Sequence, residues 1–125
     1  MERTIKFRGK SISGDWIYGM PTYDFMYIFN EEQLDSIDNY RIDTETIGQF
    51  TGLKDKNGVK IYEGDIVRFC DDPPYCSDYI IKYDEERLIW IADGVNDFTE
   101  DLWELECEFV RVFGNIYDDS EMLEL

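Results

Sequence analysis

The sequence predicts a mainly β protein, a small barrel-like antiparallel domain with one or two short helices. Two observations predict it. Apolar residues recur with period two over short runs. Turn signals built from Gly, Asn, Asp and Ser separate those runs at close spacing, and no segment sustains a helical period. The chain has 125 residues, a length that suits one domain over 1–125, with 1–40 as a looser N-terminal layer.

Ile5 and Phe7 alternate with Lys6 and Arg8 in a first half-buried strand. Trp16 to Met20 follows the Ser13-Gly14-Asp15 turn signal as a second strand. Phe25 to Phe29 is a short aromatic run, which favours a strand over a helix. Asn30 to Asn39 is polar and acidic and reads as a loop.

The middle of the chain reads as a meander. Thr46 to Phe50 is a strand, and Lys54 to Gly58 is a turn on the Asn57-Gly58 hairpin signal. Val59 to Tyr62 returns, Glu63-Gly64-Asp65 turns again, and Ile66 to Phe69 continues. Pro73-Pro74 breaks the chain. Asp78 to Tyr83 and Leu88 to Ala92 pair around Asp84-Glu85-Glu86-Arg87. Phe98 to Leu105 admits two readings: a short helix capped by Thr99, or a strand with one apolar and one acidic face. The helix is favoured, followed by a strand from Cys107 to Phe113. Gly114-Asn115 turns the chain, and Ser120 caps a last helical turn with Met122, Leu123 and Leu125.

Composition bounds function. There are 29 acidic and 12 basic residues, a net charge of −17, and no histidine. Such a charge repels phosphate backbones and argues against direct nucleic-acid binding. The absence of histidine removes His-based triads and most zinc sites. Residues 86–125 hold two basic against twelve acidic groups, so the negative field concentrates there. Glu100, Asp101, Glu104, Glu106 and Glu108 form a candidate acidic surface for a basic partner. No catalytic residue, metal site or cofactor is expected, because no nucleophile–base spacing and no phosphate-binding glycine loop occurs. Cys70, Cys76 and Cys107 suit reduced cytosolic thiols. The start MERTIKFRGKS lacks a signal peptide's apolar core, and no apolar run reaches membrane-spanning length. A cytoplasmic protein without membrane contact is the expectation.

The densest motif runs from Ile42 to Phe69, IDTETIGQFTGLKDKNGVKIYEGDIVRF. Its glycines fall where the chain must reverse, and Thr51 and Asp55 suit local bonds to turn amides. Gln49, Thr51 and Lys54 are the candidates for a ligand groove. Together with Ile5-Lys6-Phe7-Arg8, Ile17-Tyr18-Gly19 and Phe113-Gly114-Asn115-Ile116-Tyr117, this string resembles the YopX-like family of bacteriophage and prophage proteins. Between Cys70 and Phe109 the resemblance rests on no motif. It implies a small β-rich protein of phage origin, largely from Gram-positive hosts, with no established enzymatic activity and a tendency to homo-oligomers.

The leading functional expectation is therefore a non-enzymatic protein that works through protein–protein interaction or self-association in the bacterial host cell. The alternatives are a small-ligand or nucleotide-binding β-barrel, an acidic nucleic-acid mimic inhibiting a host protein, and a virion component.

Overall fold

A computed structural model describes residues 6–29, 41–95 and 98–119. The contacts group the chain into two compact units, Met1–Phe50 and Thr51–Leu125.

In the first unit, β1 (Phe7–Lys10) and β2 (Trp16–Pro21) form an antiparallel hairpin with Phe7 opposite Gly19 and Lys10 opposite Trp16. The Ser11 hydroxyl accepts the Asp15 amide at 3.1 Å, and Gly14 adopts a φ of +96° that a side chain would resist. The strand β3 is only Ile28–Phe29 and pairs with Met20 and Pro21. The start of the aromatic run predicted as a strand, Phe25 and Met26, is instead a bend, and Tyr27 makes only an isolated bridge to Arg41. Asp24 accepts the Thr22 hydroxyl at 2.7 Å and the Met26 amide at 3.0 Å, and Phe25 takes a left-handed φ of +61°. Local side-chain bonds thus win over strand propensity. Ile17, Ile28 and Ile42 form the core, with Phe7, Tyr27 and Ile47 against them. Gly9 lies so close to this cluster that an added Cβ would come within 2.8 Å of Ile42 Cδ1. A 3-10 turn over Thr44–Thr46, capped by Asp43, precedes β4 (Gly48–Lys54), whose Gln49 pairs with Phe7.

In the second unit, β4 ends and β5 (Lys60–Tyr62), β6 (Asp65–Asp72), β7 (Tyr75–Asp84) and β8 (Ile89–Gly94) follow. The last strands are β9 (Glu100–Asp101) and β10 (Val110–Asn115). The two sheets run β3-β2-β1-β4-β5 and β10-β6-β7-β8-β9, with antiparallel pairing. Ile61, Val67, Tyr79, Ile81, Ala92, Leu102, Leu105 and Val110 make the second core.

The mainly β, antiparallel reading holds, with corrections. The sheets stay open rather than closing as a barrel. Strands β3 and β9 are two residues each, and the outer edge of β10 bonds to a loop. Among the described residues the helical elements are 3-10 turns at Thr44–Thr46, Leu102–Glu104 and Cys107–Phe109, and the short helix expected within Phe98–Leu105 is only the second of these. The strand expected from Cys107 begins only at Val110. The break at Pro73-Pro74 is the tip of the β6–β7 hairpin. The predicted loop over 30–39 lies outside the described residues, and so does the last helical turn expected from Ser120.

The loop on β10 is organised by Asp55, which is 6% exposed. Its carboxylate accepts the amides of Asn57 at 2.8 Å, Val59 at 2.9 Å and Val112 at 2.9 Å. Burial opposes its charge, but the Val112, Val59 and Asn57 amides outweigh that and hold its pKa below the ordinary 3.8. A group depressed in the folded state stabilises above its unfolded pKa and loses that contribution as pH falls through the folded value. Asp55→Asn therefore places an amide donor against the Val112 N–H and costs about 2 kcal/mol at neutral pH. In urea melts at falling pH, the gap between wild type and Asp55→Asn shrinks below the ordinary carboxylate range; a gap that stays constant contradicts this role.

Candidate interaction surface

The segment from Phe98 to Phe109 is where the second unit turns acidic and aromatic groups outward. Glu100 and Asp101 form β9 opposite Ala92 and Ile91. The chain then makes its two 3-10 turns, closed by Leu105 N–H on Leu102 O at 3.1 Å and Phe109 N–H on Glu106 O at 2.9 Å. A spacing of three puts Leu102 and Leu105 on one side, at 1% and 7% exposure. Trp103 is thereby forced out, 71% exposed, and Phe98 stands 81% exposed five residues before it. Neither the helix nor the alternating strand of the sequence reading occurs, because the leucines repeat at three rather than at two or four.

The five predicted acidic residues divide. Asp101 is neutralised by Arg87, whose guanidinium also bonds Asp84 at 3.1 Å. Glu100 is half-buried in β9. Glu104, Glu106 and Glu108 are exposed and make no ion pair among the described residues. Elsewhere in this unit Arg68 is held by Asp78 at 2.8 Å, and Lys82 by Asp93 at 2.6 Å. Lys82 and Thr99 hold the Asp93 carboxyl below its usual range. These cations are thus committed to partners, and none of them pairs with the three glutamates. Trp103 was missed as a site residue in the sequence because its alternation with Leu105 reads as core; the Leu102–Leu105 spacing was the signal that places it outside.

The ligand-groove candidates lie on β4 and are differently engaged. Gln49 stands opposite Phe7 in the ladder. The Thr51 hydroxyl donates to Ile61 O at 2.8 Å and accepts the Leu53 amide at 3.2 Å, so it serves the hairpin. Lys54 is exposed at the strand end. None of them lines the cavity of about 540 Å3 in the first unit, which is bounded by Lys10, Ile12, Met26, Arg41, Asp43 and Thr44, among others. Among the described residues no group of three or more Cys, Asp or Glu side chains is placed to hold a metal ion. Among them no helix is long and apolar enough to cross a membrane. Cys70 and Cys76, expected as reduced thiols, are joined in a disulfide, since the β6–β7 hairpin brings them across from each other.

A family model described as YopX protein matches residues 6–124. The crystal structure of protein EF1440 from Enterococcus faecalis is similar in fold, with a TM-score of 0.64 and 24% identity over 98% of this chain and 100% of that one. No curated protein matches the chain.

Leu102 and Trp103 are neighbours with opposite roles, and substitution separates them. Leu102→Ala costs about 2–5 kcal/mol in a denaturant melt, the range for a buried leucine. Trp103→Ala shifts stability by under about 1 kcal/mol, as for a largely exposed residue. Equal losses for the two would contradict the outward placement of the indole.

Proposed function

The chain belongs to the YopX protein family, and on that footing we propose that it is a non-enzymatic binding protein whose acidic, aromatic rim from Phe98 to Phe109 engages a basic protein partner. The observation that carries this reading is Trp103, 71% exposed, in the same short segment as Glu104, Glu106 and Glu108, which make no ion pair among the described residues. An exposed indole supplies desolvated contact area and ranks among the commonest anchors of interfaces. Carboxylates around it steer a cationic surface and raise the encounter rate. A net charge of −17 opposes a nucleic acid in the same place. Phage or prophage origin, action in the host cytoplasm and self-association belong to this reading through the family resemblance. A nucleic-acid-binding host protein, with the glutamates occupying its phosphate sites, is the finer version.

The test compares wild type, Trp103→Ala and Glu104→Gln/Glu106→Gln/Glu108→Gln as baits in host lysate at rising salt. Wild type retains a basic partner at low salt and releases it as salt screens the pair; both variants lose it. A partner held equally by all three baits sinks the proposal.

A second reading rests on the first unit's cavity. Lys10, Arg41 and Asp43 are the charged residues among its lining, alongside Ser11 and Thr44. A small anionic ligand, a nucleotide or a carboxylate, suits that lining. Thermal unfolding with nucleotides decides: at about 100 times the dissociation constant a true ligand adds about 2.7 kcal/mol. Arg41→Ala abolishes the shift if the cavity binds, and no shift with any nucleotide or dicarboxylate removes this reading.

A further inference from the structure

The β6–β7 hairpin reaches beyond the strands that flank it. β10 accompanies β6 only as far as Phe69, opposite Val110, and β8 accompanies β7 only from Tyr79, opposite Gly94. The residues between, 70–77, leave the sheet as a two-stranded ribbon. Its ladder is irregular. Phe69 pairs with Ser77 and Asp72 with Tyr75, so Cys70 and Asp71 together face Cys76. A bulge of this kind interrupts ladder hydrogen bonds. At that interruption the Cys70–Cys76 disulfide joins the strands, with the Cα atoms 4.5 Å apart. Residues 71–76 are all exposed, and Tyr75 at the tip is 78% exposed. The core of the unit uses none of them.

We propose that this disulfide is a thiol–disulfide exchange site, opened by small-molecule thiols that attack the Cys76 sulfur, and that opening it releases the ribbon tip. Exposure decides both the lability and the sulfur attacked. Exposed disulfides are the reducible ones, and exchange needs an open line to one sulfur. Cys76 is exposed while Cys70 is half-buried. A thiolate RS⁻ forms a bond to Cys76 Sγ; the Cys70–Cys76 bond breaks, and its electron pair leaves on Cys70 Sγ. A second thiolate attacks the mixed disulfide, forms RSSR and releases the Cys76 thiolate. The two protons of the incoming thiols end on Cys70 and Cys76. The protein gains two electrons, and two thiols are oxidised to one disulfide. Cys107 does not supply the attacking group, because burial and then the Asp55 charge raise its pKa and keep the thiolate scarce.

The ribbon also selects among thiols. Asp71 and Asp72 are exposed next to Cys70, in a chain of net charge −17. This field repels an anionic reagent and attracts a cationic one, and salt removes the difference. With the bond closed, Tyr75 and the two carboxylates are held in one geometry; with it open, the tip keeps only the Asp72–Tyr75 pairing. The surface changes while the core does not.

The experiment uses the full chain purified without reductant. Cysteamine and mercaptopropionate are added at equal thiolate concentration, and the reaction is stopped with acid and mapped by peptide mass. A mixed disulfide on Cys76 is expected. Cysteamine reacts faster by about threefold or more at low salt, and the ratio falls toward one at high salt and in Asp71→Asn/Asp72→Asn. Amide exchange at 71–76 accelerates about tenfold or more on reduction, while Val67 and Ile81 stay protected. Cys70→Ser/Cys76→Ser shows the fast tip without any thiol, and Cys107→Ser leaves the wild-type kinetics unchanged. Free thiols at 70 and 76 in the unreduced protein, a folded protein whose bond resists millimolar thiol, or tip exchange that ignores reduction would each overturn the proposal.

Discussion

The carboxylate of Asp55 decides how the second unit is closed. It lies in the β4–β5 hairpin, where it accepts the Asn57 and Val59 amides and so shapes the turn. Its second oxygen accepts the amide of Val112, 57 residues away at the edge of β10. The Lys56 amide adds a bond to Val110 O at 2.9 Å. A sheet edge that would otherwise offer open amides to another chain is thus occupied by a loop of the same unit. Three donors on one buried carboxylate also explain why the charge is retained despite burial: a carboxylate that accepts several amides is stabilised in its ionised form. The same constraint stops β10 from pairing with a further strand, and that is why this sheet stays open.

A second set of bonds joins two turns that are remote in sequence. Gly64, at a φ of +91°, donates to Ile81 O and accepts the Ile116 amide. An added Cβ there would come within 3.1 Å of the Tyr117 ring, so both its backbone and its space require glycine. Asp65, 2% exposed, accepts the Tyr62 amide at 2.7 Å. Asn115 accepts the amides of Tyr117 and Asp118, while Asp119 accepts its own. The Glu63-Gly64-Asp65 and Gly114-Asn115-Ile116-Tyr117 strings are therefore two halves of one junction. In the central motif, Thr51, Asp55 and Asp65 thus use their side chains on backbone groups of their own turns and of the β10 edge.

What the sequence made legible follows from this. The meander from β4 to β6 could be read because its turns are local: Asn57-Gly58 and Gly64 carry their geometry in their residue types. The local roles of Thr51 and Asp55 were legible for the same reason. The bond from Asp55 to Val112 was not, since nothing in a single sequence links a turn to an edge 57 residues on. The aromatic run at Phe25 misled because side-chain bonds from Thr22 and Asp24 favour a turn there. The disulfide was not anticipated because three cysteines in a chain expected to be cytoplasmic read as reduced thiols; the hairpin register places Cys70 across from Cys76. The acidic surface was legible as a charge excess, but its division was not: Asp101 is distinguished from Glu104 only by the position of Arg87, which the β7–β8 turn sets.

That division connects the architecture to the binding reading. Asp84 accepts the Glu86 and Arg87 amides in the β7–β8 turn, and the Arg87 guanidinium reaches back to it. Arg87 holds the Asp84 carboxyl below its usual range. With Arg87 bound to Asp84 and Asp101, Lys82 to Asp93 and Arg68 to Asp78, these cations are consumed by the sheet that carries them. Glu104, Glu106 and Glu108 stand exposed along the two 3-10 turns, where the buried Leu102 and Leu105 anchor the backbone and Trp103 faces outward. The polarity of the rim is thus a remainder of how the sheet satisfies its own charges. On the proposed reading, a basic partner completes the pairing that the fold leaves open, and the indole gives that pairing a fixed point of contact.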